Sequence, residues 1–350
     1  VQFIGRVIEK LQRHPKRIVF PEGAEPRVLQ AARQFHCLSL GAPILLGNRV
    51  KVEKAARSLK LSLDGIRIIN PEESEDLEKF ARTLRLLRRP HGMKAMEARD
   101  AMLNPNYFGA MMVAMHQADG LVTGTNVATT AVLRPLIQTI RLAPNISTAA
   151  GCTVMEFENA SIGEDGVLFL ADCAVVPEPG MEQLADIAVS TARFARHLWG
   201  FRPRVALLSY ATKDSAMPPA MGKVRAAVAL AEKKARRCGL EADFDGELQA
   251  DTALVPEIAA RKLRQSKVAG CANVLIFPNL ACGDIAAKAL RHLARAQAYG
   301  HILLGLDRPA ADVSRGSTAR DILGVAALVG VQAIAYHQLY PGASQPPPGV

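Results

Sequence analysis

Arg17-Ile18-Val19-Phe20-Pro21-Glu22-Gly23 sets the architecture of this chain. Branched and aromatic side chains read as a short buried strand, and Pro-Glu-Gly breaks it into a loop. The segment that follows, Glu25 to His36, has helical spacing. A strand feeding a helix through a short loop opens a βαβ unit, and the pattern recurs. Pro43-Ile44-Leu45-Leu46-Gly47, Ile66-Arg67-Ile68-Ile69-Asn70-Pro71 and Gly120-Leu121-Val122-Thr123-Gly124 are further strands. Strands alternating with helices imply right-handed crossovers and a mostly parallel sheet flanked by helices.

A second series starts beyond Ala143-Pro144-Asn145. Its strands are Gly166-Val167-Leu168-Phe169-Leu170-Ala171-Asp172, Val205-Ala206-Leu207-Leu208-Ser209-Tyr210 and Ala272-Asn273-Val274-Leu275-Ile276-Phe277-Pro278. Ile302-Leu303-Leu304-Gly305 fits either series. At 350 residues the chain exceeds one comfortable core, so two α/β domains are expected. Loops at the carboxyl ends of parallel strands are where such sheets bind ligands. There is no internal repeat and no glycine fingerprint for a dinucleotide or P-loop.

The composition, 49% hydrophobic and 22% charged, is that of a folded protein, and 5% aromatics leave Ala, Val, Leu and Ile to build the core. A formal charge of +10 favours anionic partners. Nucleic acid is not expected, because zinc-finger spacing, an RNP motif and a long basic tract are all missing. Arg82 to Arg89 and Lys233 to Arg237 lie in helical patterns and read as solvated faces. Six cysteines, at 37, 152, 173, 238, 271 and 282, form no C-x-x-C pair. They fit a reducing cytoplasm, each as a small buried apolar group. Scattered histidines argue against a metal site. No secretory signal heads the chain, although its first residue is Val rather than Met and a longer parent is open. Ile322 to Tyr336 is too short and too polar at Gln332 for a membrane span and reads as core. The Pro- and Gly-rich tail 341–350 is expected to be loosely attached.

Chemistry concentrates in Asp312-Val313-Ser314-Arg315-Gly316, with Asp321 close behind and an apolar helix from Ile322 to Val329. Ser314 or Ser317 can cap that helix; if Ser314 does, positions 318 and 321 stack on its face. A helix N-terminus attracts anions, and Arg315 adds a bidentate fork. A carboxylate beside an anion seat suits transfer to or from phosphate. The structural alternative is that Ser is a routine cap, Asp321 complements the helix dipole and Arg315 pairs with Asp312.

Motifs along nearly the whole chain carry a resemblance. They include Phe20-Pro21-Glu22-Gly23, Thr129-Thr130-Ala131 with Leu133-Arg134-Pro135, Ala171-Asp172-Cys173-Ala174, Glu182 to Ala188, Leu208-Ser209-Tyr210, Asp245 to Asp251, and Ile276-Phe277-Pro278. With Ser314-Arg315-Gly316 they resemble the phosphate acetyltransferases, within the acetyl/butyryl phosphotransferase family. The resemblance implies a reversible reaction of acetyl-CoA and phosphate giving acetyl phosphate and CoA, and a place in acetate metabolism. It also implies a fold similar to the isocitrate and isopropylmalate dehydrogenases, an active site in the interdomain cleft, and a homodimer. The C-terminal segment would complete the first domain, giving 1–147 plus 300–350 and an inserted 148–299. CoA and acetyl-CoA are substrates rather than cofactors, and neither metal nor membrane is implied.

Residue by residue, the resemblance assigns Asp321 as base for the CoA thiol and Ser314 as the hydroxyl that orients thiol or carbonyl. Arg315 holds phosphate and the developing oxyanion. Arg134 and Arg88 meet CoA's phosphates, with Arg89 in reserve for Arg88 after a one-residue shift. Thr129, Thr130 and Ser215 join the substrate-binding set, although the threonine pair could instead cap its helix and Arg134 could be a surface charge. A carboxylate near pKa 4 deprotonating a thiol near 8.5 is uphill by about 4.5 pKa units, roughly 6 kcal/mol. That is tolerable when proton transfer accompanies attack. Cys152 and Cys173 could carry acyl groups but have no neighbouring histidine. Lys213 is either a phosphate ligand or a solvated loop lysine.

Three positions depart from the family pattern. Asp214 stands where many members have glycine, and Asn279 and Asp284 exchange the usual Asp and Asn. The other open readings are a phosphate butyryltransferase or other short-chain variant, a non-catalytic ligand-sensing domain like that fused to some malic enzymes, and a metal-dependent dehydrogenase. The last lacks an acidic cluster, and retention of Ser314, Arg315 and Asp321 argues against the sensing domain.

Overall fold

A computed structural model of the chain describes residues 2–213, 219–263 and 265–334. Its strands are β1 (Lys16–Phe20), β2 (Gly41–Leu46), β3 (Arg67–Ile69), β4 (Gly120–Thr123), β5 (Ala150–Glu156), β6 (Val167–Ala171), β7 (Arg204–Leu208), β8 (Asp243–Leu248), β9 (Val274–Ile276), β10 (Gln297–Leu304) and β11 (Ala310–Asp312). The chain divides into two compact units. One combines Gln2–Pro144 with the segment from Leu306 onward; the other is Asn145–Gly305. β10 runs across the sequence-expected break at 299/300 and lies wholly in the second of these.

In the discontinuous unit the strand order is β3-β2-β1-β4-β11, and every pairing is parallel. Ile18, Val19 and Phe20 of β1 are fully buried, as continuous apolar strands covered on both faces should be. Pro26 occupies the first turn of the helix Pro26–Cys37, where a missing N–H leaves no bond unmade. The expected apolar helix spans Ala319–Ile334, and positions 321 to 332 are all buried. It packs on β4, on Pro26–Cys37 and on the helix Gln2–Gln12, so it is core. Gly120 permits this approach, because a Cβ there would collide with Val329. No helix among the described residues is long and apolar enough to cross a membrane. The tail 341–350 lies outside the described residues.

The inserted unit has the order β10-β5-β6-β9-β7-β8. β5 pairs antiparallel with both β10 and β6, and the other pairings are parallel. Leu168, Leu170, Ala206, Leu208 and Leu275 belong to its core. The acidic motifs of this unit do structural work. Asp172, at the end of β6, accepts main-chain N–H bonds from Gly151 (2.8 Å), Ala174 (2.9 Å), Val175 (3.2 Å) and Val176 (2.6 Å). Asp186 holds Ser147 through N–H and hydroxyl and pairs with Lys234. Glu247, fully buried, meets Arg225 at 2.7 Å.

The basic stretches are largely solvated, with Arg82, Arg85, Arg89, Lys233, Arg236 and Arg237 exposed. Burial of the cysteines holds only for Cys152 and Cys173; Cys37, Cys238, Cys271 and Cys282 are exposed. Each exposed one sits at or near a helix end or in a loop, where the core does not reach.

Candidate active site

Three loops leave the carboxyl ends of β1, β4 and β11, which lie close together in one sheet. Glu22, in the first, braces the second. Its Oε2 accepts from Gly124 N (3.0 Å), Thr125 N (2.8 Å) and Thr125 Oγ1 (2.6 Å), and its Oε1 from Asn126 N (2.8 Å). Arg27 ties the second loop to the third. Its guanidinium donates to Thr125 O at 3.1 Å, Arg315 O at 2.7 Å and Ser317 O at 2.9 Å, while Glu25 pairs with its Nε at 2.7 Å. Register Asp312↔Thr123 and a Val313 N–H bond to Thr123 O complete the tie.

Asp312 lies beneath this junction, 2% exposed. Burial pushes its carboxyl up to about 7, a hydrogen bond from Thr129 opposes that, and the charge on Glu22 adds to it. Gly124, at φ 111°, is required here, because a Cβ would run into the Asp312 carboxylate. Arg315 makes no ion pair with Asp312, so the structural pairing considered from sequence does not form.

Ser314 is exposed and its Oγ accepts from Gly316 N at 3.2 Å. The Arg315 side chain is exposed, while its carbonyl is fixed by Arg27. Neither Ser314 nor Ser317 caps the helix. Thr318 does: its Oγ1 accepts from Asp321 N at 3.2 Å, and Asp321 Oδ2 accepts from Thr318 N at 2.8 Å. This reciprocal box uses the carboxylate three residues in, a geometry open to Thr318 but not to Ser314 or Ser317. Ser314 therefore stands in the loop, and helical stacking does not relate it to Asp321. Asp321 is 3% exposed, its carboxylate aimed by the Thr318 amide.

A second group gathers on three helices of the same unit. Thr129–Thr139 begins with Ala128 as its cap residue and has no side-chain cap. Thr129 and Thr130 are thus its first two residues, both exposed, and neither acts as the cap considered from sequence. Arg134 and Gln138, four apart, share a face of this helix. Tyr107, on Pro105–Ala114, donates to Gln138 Oε1 at 2.6 Å. Burial raises the Tyr107 phenol above its ordinary value, while Arg134 and Arg88 both pull it down. Arg88, the last residue of Leu77–Arg88, is partly buried and acts with Arg134 on the phenol, whereas its neighbour Arg89 is exposed. Neither Arg88 nor Arg134 has an acidic partner among the described residues.

Asp214 and Ser215 lie outside the described residues. Lys213 pairs with Asp245 at 2.7 Å. Asn279 caps Leu280–Leu293 by accepting from Cys282 N at 3.0 Å, and Asp284 pairs with Lys288 at 2.6 Å one turn along. Both exchanged residues thus have local partners. Burial raises the Cys152 and Cys173 thiols far above their ordinary value, with Asp172 adding to the effect in both, which disfavours the nucleophilic thiolate. No group of three or more His, Cys, Asp and Glu side chains among the described residues is placed to hold a metal ion. Sequence reasoning did not single out Glu22, Arg27 or Tyr107 and took Asp312 only as a possible partner for Arg315. An acid and a base straight after the first strand were the available signal for Glu22 and Arg27; Tyr107 had none.

The family model described as "Phosphate acetyl/butaryl transferase" matches residues 2–330. A phosphate acetyltransferase of Thermoanaerobacterium thermosaccharolyticum is 42% identical over 333 residues, covering 95% of this chain and 100% of the relative. That of Acetivibrio thermocellus is 40% identical, covering 95% and 98%. A phosphotransacetylase structure from Streptococcus pyogenes superposes with a TM-score of 0.87 at 38% identity, covering 95% and 98%.

Proposed function

Since this chain belongs to the phosphate acetyl/butyryl transferase family, we propose that it moves an acetyl group reversibly between CoA and inorganic phosphate. In the direction of acetyl-CoA synthesis, Asp321 takes the thiol proton as sulfur attacks the carbonyl of acetyl phosphate. The carbonyl electrons move to oxygen, where Arg315 meets the charge, and Ser314 donates to the same oxygen or orients the thiol. Collapse breaks the C–O bond, and phosphate departs with its electron pair toward Arg315. Reversal returns the proton from Asp321 to the CoA sulfur. Direct transfer in a ternary complex needs no acyl-enzyme, which suits the high thiol pKa of Cys152 and Cys173.

The observation that carries this reading is the fixed backbone and unpaired side chain of Arg315. Arg27 clamps its carbonyl at 2.7 Å while its guanidinium has no carboxylate partner among the described residues. A cation on a fixed backbone with no competing carboxylate suits a phosphate and an oxyanion. Arg88 and Arg134 serve CoA's phosphate groups in the same way, the exposed Thr130 hydroxyl is a further donor, and Thr129, whose hydroxyl is engaged by Asp312, is kept in the binding set through its main-chain N–H at the helix start. Ser215 is kept as a phosphate ligand on the strength of the family motif.

A reducing cytoplasm is the compartment that fits six cysteines with no disulfide among the described residues. A homodimer is supported by the helix Leu280–Leu293, which leaves Ile285 67% and Leu293 85% exposed. The test is consumption of acetyl-CoA by purified protein with phosphate or arsenate. Acetyl-CoA should disappear only when one of them is present, and faster than propionyl- or butyryl-CoA. Independence from phosphate would end the reading, and faster butyryl turnover would move it to the butyryl branch.

A further inference from the structure

Tyr107 takes no part in the acyl transfer just described, yet its helix packs against the two helices that carry Arg88 and Arg134, and both charges act on its hydroxyl. We infer that Tyr107 is a binding residue for a phosphate group of CoA, with Gln138 setting the direction of its hydrogen bond. This rests on the reading that the chain uses CoA.

The helices carrying Arg88, Tyr107 and Arg134 pack on one another. Both guanidinium groups act on the Tyr107 hydroxyl, and neither has an acidic partner among the described residues. Two cations with no carboxylate to neutralise them beside a hydroxyl are the surroundings an anion would fill. Burial holds the phenol in its protonated form, as a donor. In this structure that proton goes to Gln138 Oε1 at 2.6 Å. A side-chain amide is nearly symmetric in shape, so a half-turn brings Nε2 to the same place. The amide then donates to the phenol oxygen, and the phenol O–H turns to the phosphate. Two guanidinium groups and one hydroxyl meet phosphate oxygens with charge-assisted bonds. The amide loses nothing on rotation, because it exchanges one bond to Tyr107 for another. The same chemistry exists at the 3′-phosphate and at the pyrophosphate of CoA.

Steady-state kinetics with CoA and with 3′-dephospho-CoA decide it. Tyr107→Phe keeps the ring and removes the donor, so KM for CoA should rise about tenfold, the loss of one hydrogen bond to a charged group. Turnover, KM for acetyl phosphate and Tm should stay at wild-type values, which a merely structural role would not allow. Gln138→Glu can only accept from the phenol and adds a negative charge, so it should raise KM for CoA at least as far. A rise confined to CoA assigns the 3′-phosphate, and a rise shared with 3′-dephospho-CoA assigns the pyrophosphate. An unchanged KM with both substrates in Tyr107→Phe, or with CoA in Gln138→Glu, overturns the inference while leaving the acyl transfer intact. A wild-type protein that does not turn over acetyl-CoA fails at the earlier step instead.

Discussion

Two buried aspartates end strands in this molecule, and their surroundings differ in kind. Asp172, after β6, accepts from four main-chain N–H groups, which oppose burial, although burial is the larger cause and its carboxyl still lies above the ordinary value. Asp312, at the end of β11, receives the Thr129 hydroxyl and faces the charge of Glu22, which leaves its carboxyl at about 7. The first carboxylate is satisfied by the backbone that it folds. The second is held in a costly position between the loop that carries Ser314 and Arg315 and the helix that starts at Thr129. Saturation marks structure here, and its lack marks the site.

Substitutions at the two poles should separate activity from stability. The largest effect is expected from Arg315→Ala and Asp321→Asn, each lowering kcat by about a hundredfold or more; Tm should hold in the exposed Arg315→Ala and fall somewhat in Asp321→Asn, whose carboxylate also caps its helix. Stopped assays and calorimetry on the same samples check this, and near-wild-type kcat in either removes that residue from the chemistry. Asp172→Asn should do the reverse. An amide NH₂ facing main-chain donors costs about 3 kcal/mol, a Tm drop near 10 °C, with activity at low temperature retained. Should Asp172→Asn abolish activity in a folded protein, the division between the poles breaks down.

Smaller effects sharpen the contrast. Arg134→Ala should raise KM for CoA about tenfold with little change in kcat, because a binding charge is lost without loss of chemistry. Asp312→Asn reads the same contrast through pH rather than through rate. A folded carboxyl raised from 3.8 to about 7 keeps a proton that the unfolded chain releases. That contribution is therefore whole below the ordinary carboxylate range and is lost as pH climbs toward 7. Asp312→Asn lacks this loss, so its stability relative to wild type should improve between pH 4.5 and pH 8 in urea titrations. A pH-independent difference would show that Asp312 is not the strained partner.

Apolar runs made β1, β2, β4, β6, β7 and β9 legible, since a strand buried on both faces must be continuously apolar, and the β-branched Ile68 and Ile69 marked the partly exposed edge strand β3. β5 escaped because Gly151, Cys152 and Thr153 lack a strand's usual bulk, and β8 because Asp243, Asp245 and Glu247 interrupt it. The antiparallel pairing of β5 with β10 joins residues far apart in sequence, and no local pattern encodes it. The helix cap was misplaced because Ser314, Ser317 and Thr318 all offer hydroxyls and only Thr318 stands three residues before Asp321. Of the site, the cations were legible as charges in motifs. Arg27 and Tyr107 were not, because their roles depend on partners that folding brings from distant segments.

Leu142 and Leu306 form an antiparallel bridge, and Asp307 N–H meets Arg141 O at 2.7 Å, so the chain re-enters the first unit beside the point where it left. The ribosome must finish residues 145–305 before it makes that return stitch. Until then β4 lacks β11 as its neighbour and presents an open edge, the kind of surface that recruits chaperones or aggregates. Nascent chains arrested before residue 306 would therefore be inert and sticky, and competence to transfer acetyl groups would arrive only once the segment from Leu306 onward is made.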